Sequence, residues 1–390
     1  MNDLNLYSNI HKQVRQSNGQ IALQVLYQFG ALSRADIARQ MGLNRSSSGH
    51  IIVNLVNSGF VREIRKSDDQ IAENSNRGRP GILLELVPEA VYFLGIEIGV
   101  TYITTILIDL TASIVDMRHQ AFTCSEMGVE NAIDESIKLA YSMCNEDIMN
   151  KLEGIGFSIP AQMNDKGYIF DAALLKWSNV DFLEIAKSKL LSSLPIAIEN
   201  DANAFAIGAI YQSNISEGVT LFLVLESGVG GGIVIDGKLF RGGNGLAGEI
   251  GHLTIQDHHK EHKTLEAVIS LEQLLSRYHD LSGKDNITID MFIQYVNDRE
   301  PMAVSLADEW AKYLGFALVQ ACRMIDPNKV ILGGSMAKLY DLISTRVNTY
   351  IELYRDTPFP VPEIILNQNP ELGSAYGAAC ILHQKFMSIT

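Results

Sequence analysis

Apolar residues recur every three or four positions over the first part of the chain, and this spacing predicts helices. The apolar side of the first helix is formed by Ile21, Val25, Leu26 and Phe29. The apolar side of the third is formed by Ile51, Ile52, Leu55 and Val56. Between them, Ser33 and Asp36 have the spacing of a capping box, and Asn44 can cap the helix that follows. We therefore predict three helices over residues 18–60, preceded by a leading helix over residues 3–17.

The polar side of the third helix and the segment after it indicate contact with DNA. Phe60–Arg65 and Gly81–Val87 alternate enough to pair as a hairpin around a polar loop. Three helices and a hairpin make a winged helix-turn-helix, whose recognition helix presents its first side chains to base edges in the major groove. The predicted DNA contacts are Ser33, Arg34, Arg45, Ser46, Ser47 and His50 on the helices and Arg77 and Arg79 in the loop. The loop arginines suit a narrow minor groove, where the potential is most negative.

Two other interpretations of this segment stay open. A three-helix bundle can serve protein contacts, and a polar hairpin loop can simply be solvated. DNA contact is preferred because a wing and a helix-turn-helix occur together. The charge distribution limits where that contact can lie: residues 1–90 hold ten Lys and Arg against eight Asp and Glu, whereas the rest holds 21 against 37, in a chain with a total net charge of −14. The acidic remainder would repel phosphates, so DNA contact is expected at the N-terminal segment alone.

Composition narrows the class of protein. The four cysteines are far apart in the sequence and form no Cys-x-x-Cys pair, which argues against a disulfide framework and fits a reducing cytoplasm. The chain has no uncharged apolar run of about 18 residues, so we expect no membrane span. Its first residues lack the basic and apolar regions of a secretory signal. We expect a cytoplasmic protein of two or three domains.

From residue 91 the pattern changes to strands joined by glycine turns. Strands are predicted at 91–95, 103–108 and 113–117, followed by a helix over 128–149 and a strand at 153–159. A second strand–turn–strand unit runs from Leu221 to Ile235 around the glycines 228 and 230–232. Two similar units predict an α/β body of two related lobes that face a cleft. Glycine turns suit phosphate oxygens, but hairpins also need them for positive φ.

Polar residues then cluster beside short apolar strands. Asn200 and Asp201 follow the strand-like Ile196–Ile198, and Glu249 and His252 stand three apart in a glycine-rich stretch. Glu266 starts another helix. Carboxylates, an amide and an imidazole can pair with the many donors and acceptors of a polyhydroxylated ligand. Each residue alone could equally be a capped turn or a solvated charge, but together they favour a sugar site.

These motifs resemble the ROK family (repressors, open reading frames and kinases), and specifically its winged-helix transcriptional regulators such as the xylose and N-acetylglucosamine repressors. The resemblance runs from about residue 18 to residue 385, and Glu199–Ala204 and Gly248–His252 are its most specific motifs. It implies two actin-like ATPase lobes, related to ribonuclease H, with a sugar between them. By the same resemblance, Asp201 matches the general base of the kinases, and Asn200, Glu249, His252 and Glu266 match residues that hold sugar hydroxyls.

The phosphate loops depart from the family's pattern. The first, usually Asp-x-Gly-Gly-Thr, is Glu97-Ile98-Gly99-Val100-Thr101 here, with a longer acid and a branched residue where a phosphate must approach the backbone. The second, usually Gly-Thr-Gly, is Glu226-Ser227-Gly228, which adds a negative charge beside the triphosphate. At ~4–6 Å such repulsion is worth a few kcal/mol at an effective dielectric of about 20. We therefore expect ATP and magnesium to bind weakly or not at all.

The family's zinc ligands are missing as well. The resemblance implies a cysteine-rich segment after His252, but residues 256–264 contain no cysteine. His258, His259 and His262 could ligate a metal, although a solvated polar loop is the commoner meaning of such a run. We expect no resident cofactor.

The sequence thus predicts a winged helix-turn-helix domain over residues 1–88, a small lobe over 89–200 plus 373–390, and a large lobe over 201–372 that carries the sugar site and dimer contacts. The predicted function is a sugar-responsive DNA-binding regulator, a repressor of carbohydrate metabolism genes, that acts as a two-fold homodimer because one winged helix reads too little DNA. Two alternatives are an active sugar kinase fused to a DNA-binding domain, with Asp201 as base, and a regulator that responds to a partner protein.

Overall fold

The computed structural model describes residues 18–65, 82–164, 166–190, 193–213, 217–256, 260–367 and 372–387. Several predictions fall on residues outside these ranges: the leading helix 3–17, Arg77, Arg79, His258 and His259. The backbone of Arg45 and Ser46 starts a helix, but their side chains are outside the described part as well.

The described chain begins with three helices and a three-stranded sheet, which we call the head (residues 18–65 and 82–86). The helices are α1 (Asn18–Phe29), α2 (Arg34–Gln40) and α3 (Arg45–Asn57), and the strands, in spatial order β1-β3-β2, are β1 (Leu32–Ser33), β2 (Val61–Arg65) and β3 (Ile82–Leu86). The predicted caps are confirmed, because Ser33 Oγ accepts a hydrogen bond from Asp36 N and Asn44 Oδ1 accepts one from Ser47 N. β2 and β3 pair antiparallel, as the hairpin prediction requires.

The predicted apolar side of α1 is partly wrong. Ile21 and Phe29 are 45% and 55% exposed. The residues that α1 buries are Gln20, Ala22, Leu23, Val25 and Leu26. The buried side of α1 differs from the predicted apolar side because it includes the polar residue Gln20. The Gln20 amide donates a hydrogen bond to the carbonyl of Phe386 at 3.0 Å, in a helix at the other end of the chain.

The first of two five-stranded sheets has the order β11-β7-β4-β5-β6. Its strands are β4 (Tyr92–Ile98), β5 (Tyr102–Asp109), β6 (Ile114–Ala121), β7 (Leu152–Ile159) and β11 (Ile196–Asn200). β4, β5 and β6 form the predicted antiparallel meander, and β7 and β11 are added in parallel. Around this sheet lie α4 (Cys124–Met127), α5 (Val129–Tyr141), α6 (Glu146–Asn150), α7 (Phe182–Lys189) and the small sheet of β8 (Gln162–Met163), β9 (Tyr168–Ala172) and β10 (Trp177–Asp181).

The single helix predicted over residues 128–149 is two helices. α5 ends at Tyr141, and Asn145 begins α6 by accepting a hydrogen bond from Ile148 N at 2.9 Å. A capping side chain inside an apolar pattern therefore interrupts the helix.

The second sheet has the order β14-β13-β12-β17-β18. Its strands are β12 (Val219–Leu225), β13 (Val229–Ile235), β14 (Lys238–Phe240), β17 (Lys329–Gly333) and β18 (Glu363–Leu366). The accompanying elements are β15 (Thr254–Gln256), β16 (His262–Thr264), α9 (Glu266–Ile269), α10 (Leu271–Ser282), α11 (Ile289–Asn297), α12 (Pro301–Ile325) and α13 (Ala337–Tyr354). None of the helices described is long and apolar enough to cross a membrane.

Two helices, α8 (Asp201–Ser213) and α14 (Gly373–Met387), lie between the sheets. α14 packs directly on the first sheet, since a Cβ at Gly95 would overlap the carbonyl oxygen of Ala375. α8 packs on the second sheet, where a Cβ at Gly230 would lie 2.8 Å from Ala202 Cβ. The layers therefore run sheet, α14, α8, sheet, and the carboxyl ends of β4, β7 and β11 face the start of α8.

Candidate functional site

A cavity of about 290 Å³ opens where the two halves of the body meet. Asn200 and Glu199, at the end of β11, form one wall, and Glu249 and Arg241, from the second half, form the other. Of the five residues predicted to hold a sugar, Asn200 and Glu249 line this cavity, whereas Asp201, His252 and Glu266 are not among its lining residues. A ligand here touches both halves of the body.

Asn200 is held by the backbone around it. Its Oδ1 accepts hydrogen bonds from Ala202 N at 2.9 Å and Asn203 N at 3.3 Å, and its Nδ2 donates to the carbonyl of Ala161 at 3.1 Å. These bonds start α8 and use both lone pairs of the amide oxygen, so one amide hydrogen is left for a ligand. The side chain is thus preorganised at the cavity wall.

Arg241 and Asn203 are candidate site residues that the sequence prediction missed. Arg241 donates to Glu199 Oε2 at 2.6 Å, so a positive charge on one wall of the cavity pairs with a carboxylate on the other. Asn203 donates to Glu199 Oε1 at 3.1 Å, while its own Oδ1 is buried and has no hydrogen-bond partner among the described residues. An unsatisfied buried acceptor costs ~1–3 kcal/mol, so its presence in a cavity wall marks Asn203 as a further candidate contact. The sequence signal that could have found Arg241 is its position directly before two glycines. Asn203 belongs to the Glu199–Ala204 motif named in the sequence analysis.

Asp201 is the first residue of α8, and its Oδ1 accepts a hydrogen bond from Ala202 N at 2.9 Å. Burial raises the pKa of Asp201 to about 6, and the charges of the nearby carboxylates Glu249 and Glu266 contribute to this increase. A carboxylate that titrates near neutral pH can accept a proton from a hydroxyl group, which is the chemistry of a general base.

Glu249, His252 and Glu266 are arranged around Asp201. Glu249 Oε2 accepts a hydrogen bond from Gln162 Nε2 at 3.2 Å and lies 3.6 Å from His252 Nε2. His252 ends a short 3₁₀ turn and its side chain is half exposed. Glu266 points elsewhere, since its Oε2 accepts a hydrogen bond from Val229 N at 2.9 Å, at the second glycine turn.

The first phosphate loop contains a carboxylate that is already bonded. Glu97 accepts hydrogen bonds from the Tyr102 hydroxyl at 2.9 Å and from the hydroxyl and N–H of Ser374, at the start of α14. Burial raises the pKa of Glu97 to about 7, and the charge of Asp201 adds to the effect. The Tyr102 ring also covers the loop, since a Cβ at Gly99 would lie 2.6 Å from Tyr102 Cζ. Thr101, the last residue of the loop, is exposed.

The carboxylate of the second phosphate loop is hydrogen-bonded in the same way. The Glu226 carboxylate accepts hydrogen bonds from the N–H of Ser335 and, at 2.8 Å, from its hydroxyl. Ser335 follows the glycine turn before α13, and burial raises the pKa of Glu226. In the same loop, a Cβ at Gly228 would lie 3.0 Å from Glu266 Oε2, so a second carboxylate stands beside Ser227 and Gly228. The N–H group of Val229 in this loop and those of Ser335 and Ser374 near the helix starts already bind carboxylates, and three acidic side chains at the two loops do not fit the phosphates of a nucleoside triphosphate.

The segment that corresponds to the family's zinc ligands is described only in part, because residues 257–259 lie outside the described ranges. Among the described residues, no group of three His, Cys, Asp or Glu side chains could hold a metal ion. His262 starts β16 and is exposed.

The candidate DNA contacts differ in availability. Ser33 is used as a cap, because its hydroxyl donates to Asp36 Oδ2 at 2.6 Å while accepting from Asp36 N. The Arg34 guanidinium pairs with Glu63 of β2 at 2.7 Å. Ser47 and His50 lie exposed on the first two turns of α3.

The layers and the cavity define a two-lobed body of the kind that ROK sugar kinases and regulators share. The ROK family model matches residues 93–385, and the chain belongs to this family. Residues 1–92, which contain the head, lie outside that match.

Relatives of both functional kinds resemble this chain. The xylose repressor of Caldicellulosiruptor bescii is 25% identical over 368 residues, which cover 87% of this chain and 88% of the repressor. Among solved structures, a ROK family transcriptional regulator, a homologue of the Escherichia coli Mlc protein, has a TM-score of 0.74 at 19% identity and covers 96% of this chain and 97% of its own. A ROK family glucokinase from Streptomyces griseus, in complex with glucose and AMPPNP, has a TM-score of 0.65 at 21% identity and covers 75% of this chain and 99% of its own.

Proposed function

We propose that this chain is a sugar-responsive transcriptional repressor: the head binds operator DNA, and the cavity between the lobes binds a sugar or a sugar derivative. One observation carries the proposal. The same cleft combines polar side chains suited to hydroxyl groups, including Asn200 and Glu249, with phosphate loops whose own carboxylates, Glu97 and Glu226, are buried and bonded to the N–H groups of Ser374 and Ser335. Such a body can recognise a sugar without phosphorylating it.

The similarity to repressors along nearly the whole chain supports the DNA-binding half of the proposal. The three helices and the strand pair of the head support a winged helix-turn-helix, in which we propose α3 as the recognition helix. We propose that Arg45, Ser46, Ser47 and His50 meet base edges in the major groove, and that Arg77 and Arg79 enter the minor groove. A homodimer places two heads on a two-fold operator.

The sugar acts on DNA binding through its different affinity for two arrangements of the lobes. A ligand that bonds to Asn200 on one wall and Glu249 on the other favours the arrangement in which the walls are closer. Arg241 and Asn203 add a donor and an acceptor to the same cavity. No nucleotide takes part in this mechanism.

A two-stage experiment tests the function. Purified full-length protein selects its binding sequence from a pool of random duplex DNA, and fluorescence anisotropy then measures affinity for the selected duplex with and without each member of a panel of neutral monosaccharides. We expect saturable, sequence-specific binding and at least one sugar that changes it. If no sequence is enriched, the chain is not a DNA-binding repressor.

An active sugar kinase is a second candidate, and one observation favours it: the pKa of Asp201, raised to about 6, suits a general base. An assay that couples ADP formation to NADH oxidation, run over the same sugar panel, separates the two functions. A sugar-dependent turnover of about 1 s⁻¹ or more, the low end for kinases, would establish the enzyme. We expect turnover well below that.

A further inference from the structure

One helix connects the cavity to the head. α8 begins at the cavity, where the Asn200 side chain caps its first N–H groups and Asp201 is its first residue. It ends next to the head, where Tyr211 packs against the core that holds α1. Its 13 residues span ~20 Å at 1.5 Å per residue. A displacement of the first residues of α8 would therefore also move its last residues.

α8 belongs to the second sheet by its packing. Phe205, Ala206 and Ala209 lie in one buried cluster with Phe222, Val234 and Ile331 of that sheet. Ile207, on another side of the same helix, lies in the core that contains α1 and α14. α8 therefore packs both on the second sheet and on α14, which is fixed to the first sheet.

The contact between α8 and α14 is a backbone contact. A Cβ at Gly377 would overlap the carbonyl oxygen of Ala204, and a Cβ at Gly208 would lie 3.1 Å from Gly377 N. α14 is fixed in turn to the first sheet, because a Cβ at Gly156 would overlap the Ala378 carbonyl. Helices packed this closely move relative to one another by small sliding displacements.

The far end of the crossing carries a buried polar junction. His383 Nε2 lies 2.8 Å from the carbonyl oxygen of Leu110, so this nitrogen carries the proton. His383 Nδ1 then accepts the hydrogen bond from the Tyr211 hydroxyl at 3.0 Å. Burial lowers the pKa of His383 to about 4, which keeps the ring neutral and the direction of both bonds fixed.

The head contacts this junction directly. The Tyr27 ring of α1 lies 5.0 Å from the His383 ring and 6.0 Å from the Tyr211 ring, centroid to centroid. One turn away, Phe386 accepts the hydrogen bond from Gln20 and packs against Phe60 at 6.0 Å. The cavity reaches the same helix, because Ile381 and Lys385 of α14 are among its lining residues.

We propose that the junction of Tyr211, His383 and Tyr27 transmits occupancy of the cavity to the head, through movement of α8 across α14. The inference rests on the proposed function, since it states how the sugar signal arrives at the DNA-binding surface. Tyr211 and Tyr27 are positioning residues: neither touches the sugar or the DNA.

Tyr211→Phe tests the proposal, because it removes the hydroxyl that bonds to His383 and keeps the ring. The probe is the monosaccharide of the panel that shifts the wild-type protein most, with the selected duplex. We expect sugar affinity and sugar-free operator affinity to stay within about twofold of wild type, while the sugar-induced change in operator affinity, typically about 5–150-fold for allosteric proteins, falls at least about threefold. Tyr350→Phe is the matched control: it removes a hydroxyl that donates to Asp308 at 2.7 Å, away from the junction, and keeps the full response.

Tyr27→Leu tests the same path from the head, and it decides the matter if Tyr211→Phe fails to fold. We expect the same loss of response, and in the double variant no loss beyond the larger single one, because both changes break one contact. A full sugar response in both single variants overturns the inference and leaves the proposed function intact. A wild-type protein that binds DNA but responds to no sugar overturns both.

Discussion

At the scale of single residues, the carboxylates of the cleft have two opposite roles. Glu249 lines the cavity that we propose binds a hydroxylated ligand, and Asp201 lies near Glu249, whereas Glu97 and Glu226 accept hydrogen bonds from the N–H groups of Ser374 and Ser335. By the resemblance to the kinases, Glu97 and Glu226 belong to the loops that would hold a nucleotide's phosphates. Four acidic side chains of the same cleft therefore have different partners and different expected roles.

Glu97→Gln should make stability less dependent on pH. The folded-state pKa of Glu97 is about 7, above its ordinary value of 4.5, so the charged form destabilises the fold, and the penalty grows as pH rises from 4.5 to 7 and is complete above 7. Glutamine carries no charge, and its single amide oxygen can accept at most two of the three hydrogen bonds from Tyr102 and Ser374. We expect the variant to gain on the order of 1–3 kcal/mol at about pH 8 and little at about pH 5.

Thermal unfolding at the two pH values measures this difference. Glu135→Gln is the control with the opposite sign, because hydrogen bonds from Gln120 and Lys138 lower the pKa of Glu135. That variant should be no more stable than wild type at the higher pH. Equal midpoints for Glu97→Gln and wild type at high pH would show that Glu97 is not a charged group under strain.

Asp201→Asn should weaken sugar binding and leave DNA binding alone. Asparagine keeps the acceptor for Ala202 N but loses the charge, and a hydrogen bond to a charged group is worth about 1.5–3 kcal/mol, or roughly tenfold or more in Kd. Titration with the active sugar measures the loss, and anisotropy without sugar measures operator affinity. Asp290→Asn, on exposed α11, is the control. Loss of sugar-free DNA binding would contradict a dedicated ligand role for Asp201.

At the scale of elements, local signals were predictable and long-range ones were not. The caps at Ser33 and Asn44 act within four residues, so the sequence displayed them. The buried side of α1 depends on Phe386, and the cavity wall depends on Ile381 and Lys385, which stand far away in sequence. The pairing of Arg241 with Glu199 also joins segments that only the folded lobes bring together. A periodic pattern carries no information about such partners.

Asn44→Ala should loosen the start of the recognition helix. Its side chain accepts the hydrogen bond from Ser47 N at 2.8 Å, and loss of an N-cap costs about 0.5–2 kcal/mol. Because the candidate base contacts begin at Arg45, operator affinity should fall roughly fivefold to tenfold, the equivalent of about 1 kcal/mol. Asn145→Ala removes an equivalent cap from α6 in the body and should leave operator affinity unchanged. Equal behaviour of the two variants would argue against α3 as the reading helix.

At the scale of the whole molecule, charge is divided between a mildly basic N-terminal segment and an acidic body. The sequence predicted this division and the two-lobed α/β body, because both follow from composition and from repeated strand–turn–strand units. It did not predict that the head would share one apolar core with α14 and α8, since that core assembles residues from Ala22 to Met387.

Arg79→Ala should reduce the salt dependence of operator binding. If Arg79 neutralises one phosphate, the slope of log Kd against log salt concentration falls by about one unit. Affinity measured across a series of potassium chloride concentrations gives this slope. Lys338→Ala, whose ammonium pairs with Asp290 in the body at 3.2 Å, is the control and should keep the wild-type slope. An unchanged slope for Arg79→Ala removes this phosphate contact.

The shared core has a practical consequence for anyone who divides the molecule. A body cut free of its first 90 residues would lose the rings of Tyr27 and Phe60 that pack on His383 and Phe386, and the apolar surface so exposed would promote aggregation. Swapping operator specificities between regulators by exchanging heads would meet the same obstacle. A functional chimera has to include the α14 helix against which its head packs, or the interface between the head and α14 has to be redesigned.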